Sequence, residues 1–175
     1  MNQSEFTYTV KRCCSPSYYH EKVTPAILFL ALQEFAAAAD RLDRIKKTLF
    51  YGKDEPVFLT KLNATVEFDH ETLSPDVAHA VIGIATEAGE LVERLMKAGS
   101  YPEKADEHRL NFFEESGDVE WYQMLLYSAL GFDQAQVRAA NHAKLLKRFP
   151  EKFTEANADQ RDLPLEQATL ADNLG

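Results

Sequence analysis

The stretch ATEAGELVERL, Ala85 to Leu95, sets two glutamates three residues apart, Glu87 and Glu90, inside an apolar helical pattern. Downstream, EESGDVEWYQM, Glu114 to Met124, repeats the device with Glu115 and Asp118, again with a glycine just before the second acid. At about 100° per residue, Val77, Val81, Ile84, Ala88, Leu91 and Leu95 form one stripe of the earlier helix. Glu87 lies at the edge of that stripe, with Glu90 and Arg94 beside it. In the later helix, Val119, Tyr122, Leu125, Leu126 and Ala129 form the stripe, and Glu115 and Asp118 fall within it, whereas Glu114 and Glu120 lie farther from its centre. Acids on a packing face carry a large desolvation cost unless they are protonated, paired or bound to metal.

Punctuation extends the helical reading in both directions. Thr24-Pro25 and Ser74-Pro75 each place a capping residue before a proline at the first helical position. They predict one helix from Pro25 to about Gly52, with Ile27, Leu30, Phe35, Ala38, Leu42, Ile45 and Leu49 on its apolar face and basic residues near its C-terminus, and another from Pro75 to Gly99. A third is expected from about Asn111 to Leu130, after the polar stretch YPEKADEHRL, and a fourth from the cap Asp133 to about Arg148, with Pro150 beyond. Residues 52–73 have no clear period, and the tail from Glu151 is polar, placed to wrap the body or fray. The expected architecture is an all-α bundle in a single domain of 175 residues: an N-terminal helix and irregular segment over 1–73, ligand-bearing helices over 74–150 and a tail over 151–175.

Bulk properties narrow the function. Hydrophobic residues make up 45% and charged residues 27%, an ordinary soluble balance. A formal charge of −9 argues against wrapping nucleic acid, although phosphates remain open to an acidic chain through bridging cations. The only cysteines, Cys13 and Cys14, are adjacent and form no ordinary disulfide with each other, which fits a reducing compartment. MNQSEFTYTV lacks the pattern of a signal peptide, and the most apolar window, AILFLAL, is too short to span a bilayer. A cytoplasmic protein is expected.

Paired carboxylates offer hard oxygen ligands, which suit Mg²⁺ or Mn²⁺. Zinc is not served, since neither H-E-x-x-H nor C-x-x-C occurs. On the fourth helix, Asn141, Lys144 and Arg148 share a face and make an anion grip, although a basic helix C-terminus is also favoured by the dipole alone. Metal ligands with Lys and Arg describe a site for a polyphosphate. Two rivals stand beside this reading. Glu67 and His70 form an E-x-x-H that hints at a di-iron carboxylate bundle. Alternatively, the acids serve only salt bridges with Arg94, Lys97 and Arg109 in a non-enzymatic helical oligomer acting as a regulatory or assembly module.

EAGE (Glu87 to Glu90), ESGD (Glu115 to Asp118) and NHAKLLKRFPEKF (Asn141 to Phe153), followed by Arg161-Asp162, resemble the MazG-like nucleotide pyrophosphohydrolases of the all-α NTP pyrophosphatase superfamily. The resemblance runs from about Pro75 to Leu163. It implies a four-helix core built across a dimer, often paired into tetramers. The implied reaction cleaves a nucleoside triphosphate between the α- and β-phosphates, giving a monophosphate and pyrophosphate. Glu87, Glu90, Glu115 and Asp118 would then hold two or more Mg²⁺ or Mn²⁺ ions, and Asn141, Lys144 and Arg148 the phosphates. The long first helix and FYGKDEP (Phe50 to Pro56) look like those of phage-borne and bacterial members, some of which act on dATP and dGTP. A deoxynucleotide is therefore expected, a purine before a pyrimidine, in the host cytoplasm if the chain is phage-encoded.

Overall fold

The computed structural model describes residues 2–16, 19–53 and 74–174. Among them are seven α-helices and no strand. They are α1 (Gln3–Cys13), α2 (Pro25–Tyr51), α3 (Pro75–Ser100), α4 (Ala105–Leu130), α5 (Gln134–Arg148), α6 (Glu155–Asp159) and α7 (Leu163–Leu174). Most of the stretch read as irregular, and with it the Glu67–His70 motif, lies outside the described residues. No helix among the described residues is long and apolar enough to cross a membrane.

Two compact units divide the chain. One comprises Val23–Leu130, the other Met1–Lys22 with Gly131–Gly175. In the first, α3 packs against both α2 and α4. The caps of α2 and α3 are those expected: the Thr24 hydroxyl accepts from the Ile27 amide at 3.3 Å, and the Ser74 hydroxyl from the Val77 amide at 3.5 Å. Gly52 ends α2 in the left-handed region, at φ 61°. In the second unit, α5 packs against α7 and α1. Asp133 caps α5, accepting from the Gln136 amide at 2.9 Å.

Two expectations are corrected and one helix is new. The helix α4 begins at Ala105, not Asn111, because the polar stretch before it carries Asp106 and Glu107 in the first turn, where the helix dipole favours acids. The N-terminal residues form α1, closed by a capping box in which Asn2 and Glu5 bond each other's backbone amides. The faces that α2 and α3 bury also differ from the aliphatic stripes. The helix α3 buries Ala80, Gly83, Thr86, Glu87 and Gly89 while Val81 and Leu95 are exposed; α2 buries Ala36, Ala39 and Lys46 while Ile27, Leu30 and Leu49 are exposed. Close approach explains this. A Cβ on Gly83 would lie 2.2 Å from the Tyr122 ring, and one on Gly89 2.2 Å from the Ala39 Cβ. Small side chains let the axes draw together, and larger aliphatic ones on those faces would hold them apart.

Candidate metal centre

The tight α2–α3–α4 packing carries the acids inward. Glu87 sits on the buried face of α3 and Glu115 on that of α4, while Asp118, one turn further along α4, is exposed and does not lie on the packing face assigned to it above. Glu87, Glu115 and Asp118 each offer an oxygen such that all three lie within 4.8 Å of one another. Glu90 lies beside them, half-exposed, with its carboxylate 4.0 Å from Arg94. It also lines a cavity of about 240 Å³ between α2 and α3, with Asp40, Asp43, Lys47, Thr86 and Glu93. That volume holds several waters at about 30 Å³ each.

Two cations face these acids. From α3, Arg94 donates twice to a single oxygen of Glu115, Nε at 2.9 Å and a terminal nitrogen at 2.7 Å from Oε1, so neither bond falls on Oε2. From α2, Lys46 is only 3% exposed, and its Nζ reaches Thr86 Oγ1 at 2.8 Å, Asp43 Oδ1 at 3.2 Å and Glu87 Oε1 at 3.4 Å. Its ammonium also lies 5.0 Å from the centre of the Tyr122 ring.

Crowding of acids sets the electrostatics. Burial pushes the Glu87 carboxyl above its ordinary value; Lys46 opposes the shift, and Asp118 and Glu115 add to it. Burial, then the charges of Glu115 and Glu87, push Glu90 up to about 7, with Arg94 opposing. Burial works against ionisation of Asp43, yet hydrogen bonds from Lys47 and Lys46 hold its carboxyl below the usual value. Burial likewise disfavours the Lys46 ammonium, but Tyr122 and Asp43 outweigh it and raise the pKa.

One to two turns along the helices from the acids, rings gather around His79. Phe50 stacks on the imidazole at 4.3 Å, and Tyr51, Trp121 and Tyr122 meet it edge-on. Tyr122 is buried, whereas Trp121 and Tyr51 are largely exposed.

The anion grip read on the fourth helix falls in the other unit. Asn141 and Lys144 line a cavity of about 520 Å³ between α5 and α7, with Phe132, Val137 and Leu170 among its walls. The Arg148 guanidinium is engaged by buried Glu166 of α7, at 2.7 Å from Oε1 and 2.6 Å from Oε2, and Arg161 reaches the same carboxylate at 2.7 Å. These two arginines hold Glu166 at a pKa of about 2. His142 bonds the buried Thr9 hydroxyl through Nδ1, at 2.7 Å.

Lys46, Thr86 and Asp43 are the members that sequence reasoning missed. Lys46 reads in the sequence as one of the basic residues that end α2, a placement the helix dipole explains. The usable signal was the spacing Ala36, Ala39, Asp43, Lys46, a face of small and polar residues at helical intervals. No family model, no curated protein and no solved structure matches the chain.

Proposed function

We propose that the chain is a metal-dependent nucleoside triphosphate pyrophosphohydrolase, converting a (d)NTP and water to a (d)NMP and pyrophosphate. Deoxynucleotides, and among them dATP and dGTP, are the proposed substrates. The observation that carries the reading is the convergence of Glu87, Glu115 and Asp118 oxygens to within 4.8 Å from two separate helices. All-oxygen donors at that spacing fit a hard divalent ion, Mg²⁺ or Mn²⁺, with Glu90 adjacent as a fourth ligand for the two or more ions proposed. When bound, such an ion supplies charge neutralisation for the triphosphate and a bound water of lowered pKa.

The chain's own groups do the rest. Rigid α3 and α4 hold the carboxylates in register, so little reorganisation is needed as charge develops on the phosphoryl oxygens. Arg94 steadies Glu115 through Oε1, and the Glu90 carboxyl meets the same carboxylate. One of the carboxylates accepts the proton of the attacking water, and no covalent nucleophile is required. Asn141, Lys144 and Arg148 keep the proposed role of anion ligands on α5, Arg148 by exchanging Glu166 for phosphate.

Cytoplasmic assembly as a homodimer or homotetramer belongs to the same proposal, with a four-helix core shared between copies. It is supported by α4, where Leu110, Phe113, Trp121 and Met124 are exposed along one face at helical spacing.

A second reading has its own observation. The bonds of Arg94 to Glu115 and of Lys46 to Glu87 are those of a structural ion-pair network, which needs no metal. Incubation of the protein with a panel of NTPs and dNTPs, with Mg²⁺ or Mn²⁺, separates the two. Monophosphate and pyrophosphate on chromatography, lost in Glu115→Gln, are expected. Silence across the panel with both metals would favour the ion-pair network.

A further inference from the structure

A lysine on a helix usually extends its stem along the surface and leaves the ammonium in water. Lys46 does the opposite. Its buried ammonium is met by side-chain oxygens of Thr86, Asp43 and Glu87, and by the Tyr122 side chain as well. The Thr86 hydroxyl donates to the Gly83 carbonyl at 2.9 Å, so a lone pair is turned toward the lysine. This is an oxygen shell built for a cation. The other cation, Arg94, sits on a more exposed flank, at 23% exposure, from which it can swing aside.

We infer that Lys46 is a resident cation of the carboxylate site, a fixed positive charge on the α2 side of Glu87 that limits how tightly the acids hold divalent ions. The inference rests on reading the acids as a metal centre. Its physical basis is direct: the ammonium shares Glu87 with any ion bound there, and like charges a few ångströms apart repel. It also keeps Glu87, Glu115 and Asp118 from driving one another apart when no divalent ion is bound. A permanent partial neutraliser leaves a metal loosely enough held to leave with pyrophosphate.

Mn²⁺ binding to the full chain, followed by the electron paramagnetic resonance of free Mn²⁺, tests this in wild type, Lys46→Met and Lys46→Arg. Lys46→Met keeps the length of the stem and removes the charge. The expected result is Mn²⁺ affinity on the order of tenfold higher in Lys46→Met, near wild type in Lys46→Arg, and a lower melting temperature of metal-free Lys46→Met. Should Lys46→Met fold poorly, Lys46→Gln carries the same comparison. A wild type that binds Mn²⁺, with a Lys46→Met variant that binds it equally or more weakly, would make Lys46 a strut and overturn this inference alone. No binding by either protein would remove the metal centre as well. Binding gained only on removal of the lysine would support the resident cation.

Discussion

A single methyl group measures how close the helices lie. Gly83→Ala forces a carbon against the Tyr122 ring, and overpacking of this kind costs about 1–3 kcal/mol. Gly99→Ala meets nothing within 4 Å and should be neutral or stabilise by up to about 1 kcal/mol. Thermal melts of the two variants check the contrast. Glu90 gives a second residue-level prediction. Its folded pKa of about 7 lies above an ordinary value of 4.5, so the fold favours the protonated acid. Its contribution is fully present below about pH 4.5 and is lost as pH rises toward about 7. Metal-free wild type should therefore lose melting temperature across that window relative to Glu90→Gln, and saturating Mg²⁺ should flatten the difference. Legibility at this scale was uneven. Glu87, Glu90, Glu115 and Asp118 stood out because acids recur inside apolar helices; Lys46 did not, because a lysine near a helix end has an ordinary explanation.

Helix ends obey local chemistry, which is why three of the starts could be read directly. Thr24, Ser74 and Asp133 each satisfy an amide within their own first turn, and no distant contact alters that. The helices α6 and α7 lacked such clarity, since polar tails and polar helices share a composition. The helix α7 is held from outside itself, by Arg148 of α5, which spans both oxygens of buried Glu166, and by Arg161, which shares Oε2. The ion pair makes a pH prediction. With its folded pKa lowered to about 2, Glu166 contributes stability that is present above about 4.5 and lost as pH falls through about 2. Glu166→Gln should lower the melting temperature at neutral pH and leave Arg148 without a counter-charge. Its deficit against wild type should shrink on acidification and vanish near pH 2, as circular dichroism would follow. A deficit independent of pH would assign the role of Glu166 to packing instead.

Among the described residues, α2, α3 and α4 each leave large apolar side chains exposed. Aliphatic stripes on α2 and α3 were read as core because periodicity marks an apolar face without saying what covers it; the small residues on the other faces decided the packing within the chain. On α4 the same holds with a regular seam. Leu110 at 65%, Phe113 at 79%, Trp121 at 57% and Met124 at 44% exposure follow the three-and-four spacing of helix–helix contacts, and Gly117 lies between them on that face. Apolar residues aligned in this way on a monomer mark an interaction surface. In the proposed homo-oligomer a second copy covers it, and a glycine in mid-seam admits a partner helix closely. Sedimentation of the wild type at micromolar concentration should then give a dimer or tetramer. Phe113→Glu buries a charge in that seam and should shift the protein to monomer, weakening association at least about 100-fold, or about 2.7 kcal/mol. Helical content should be unchanged, since Phe113 is the most exposed of these side chains within its own chain. An unaltered oligomer in Phe113→Glu would move the interface off α4 and onto the exposed Ile27, Leu30 and Leu49 of α2, where Leu30→Glu repeats the test.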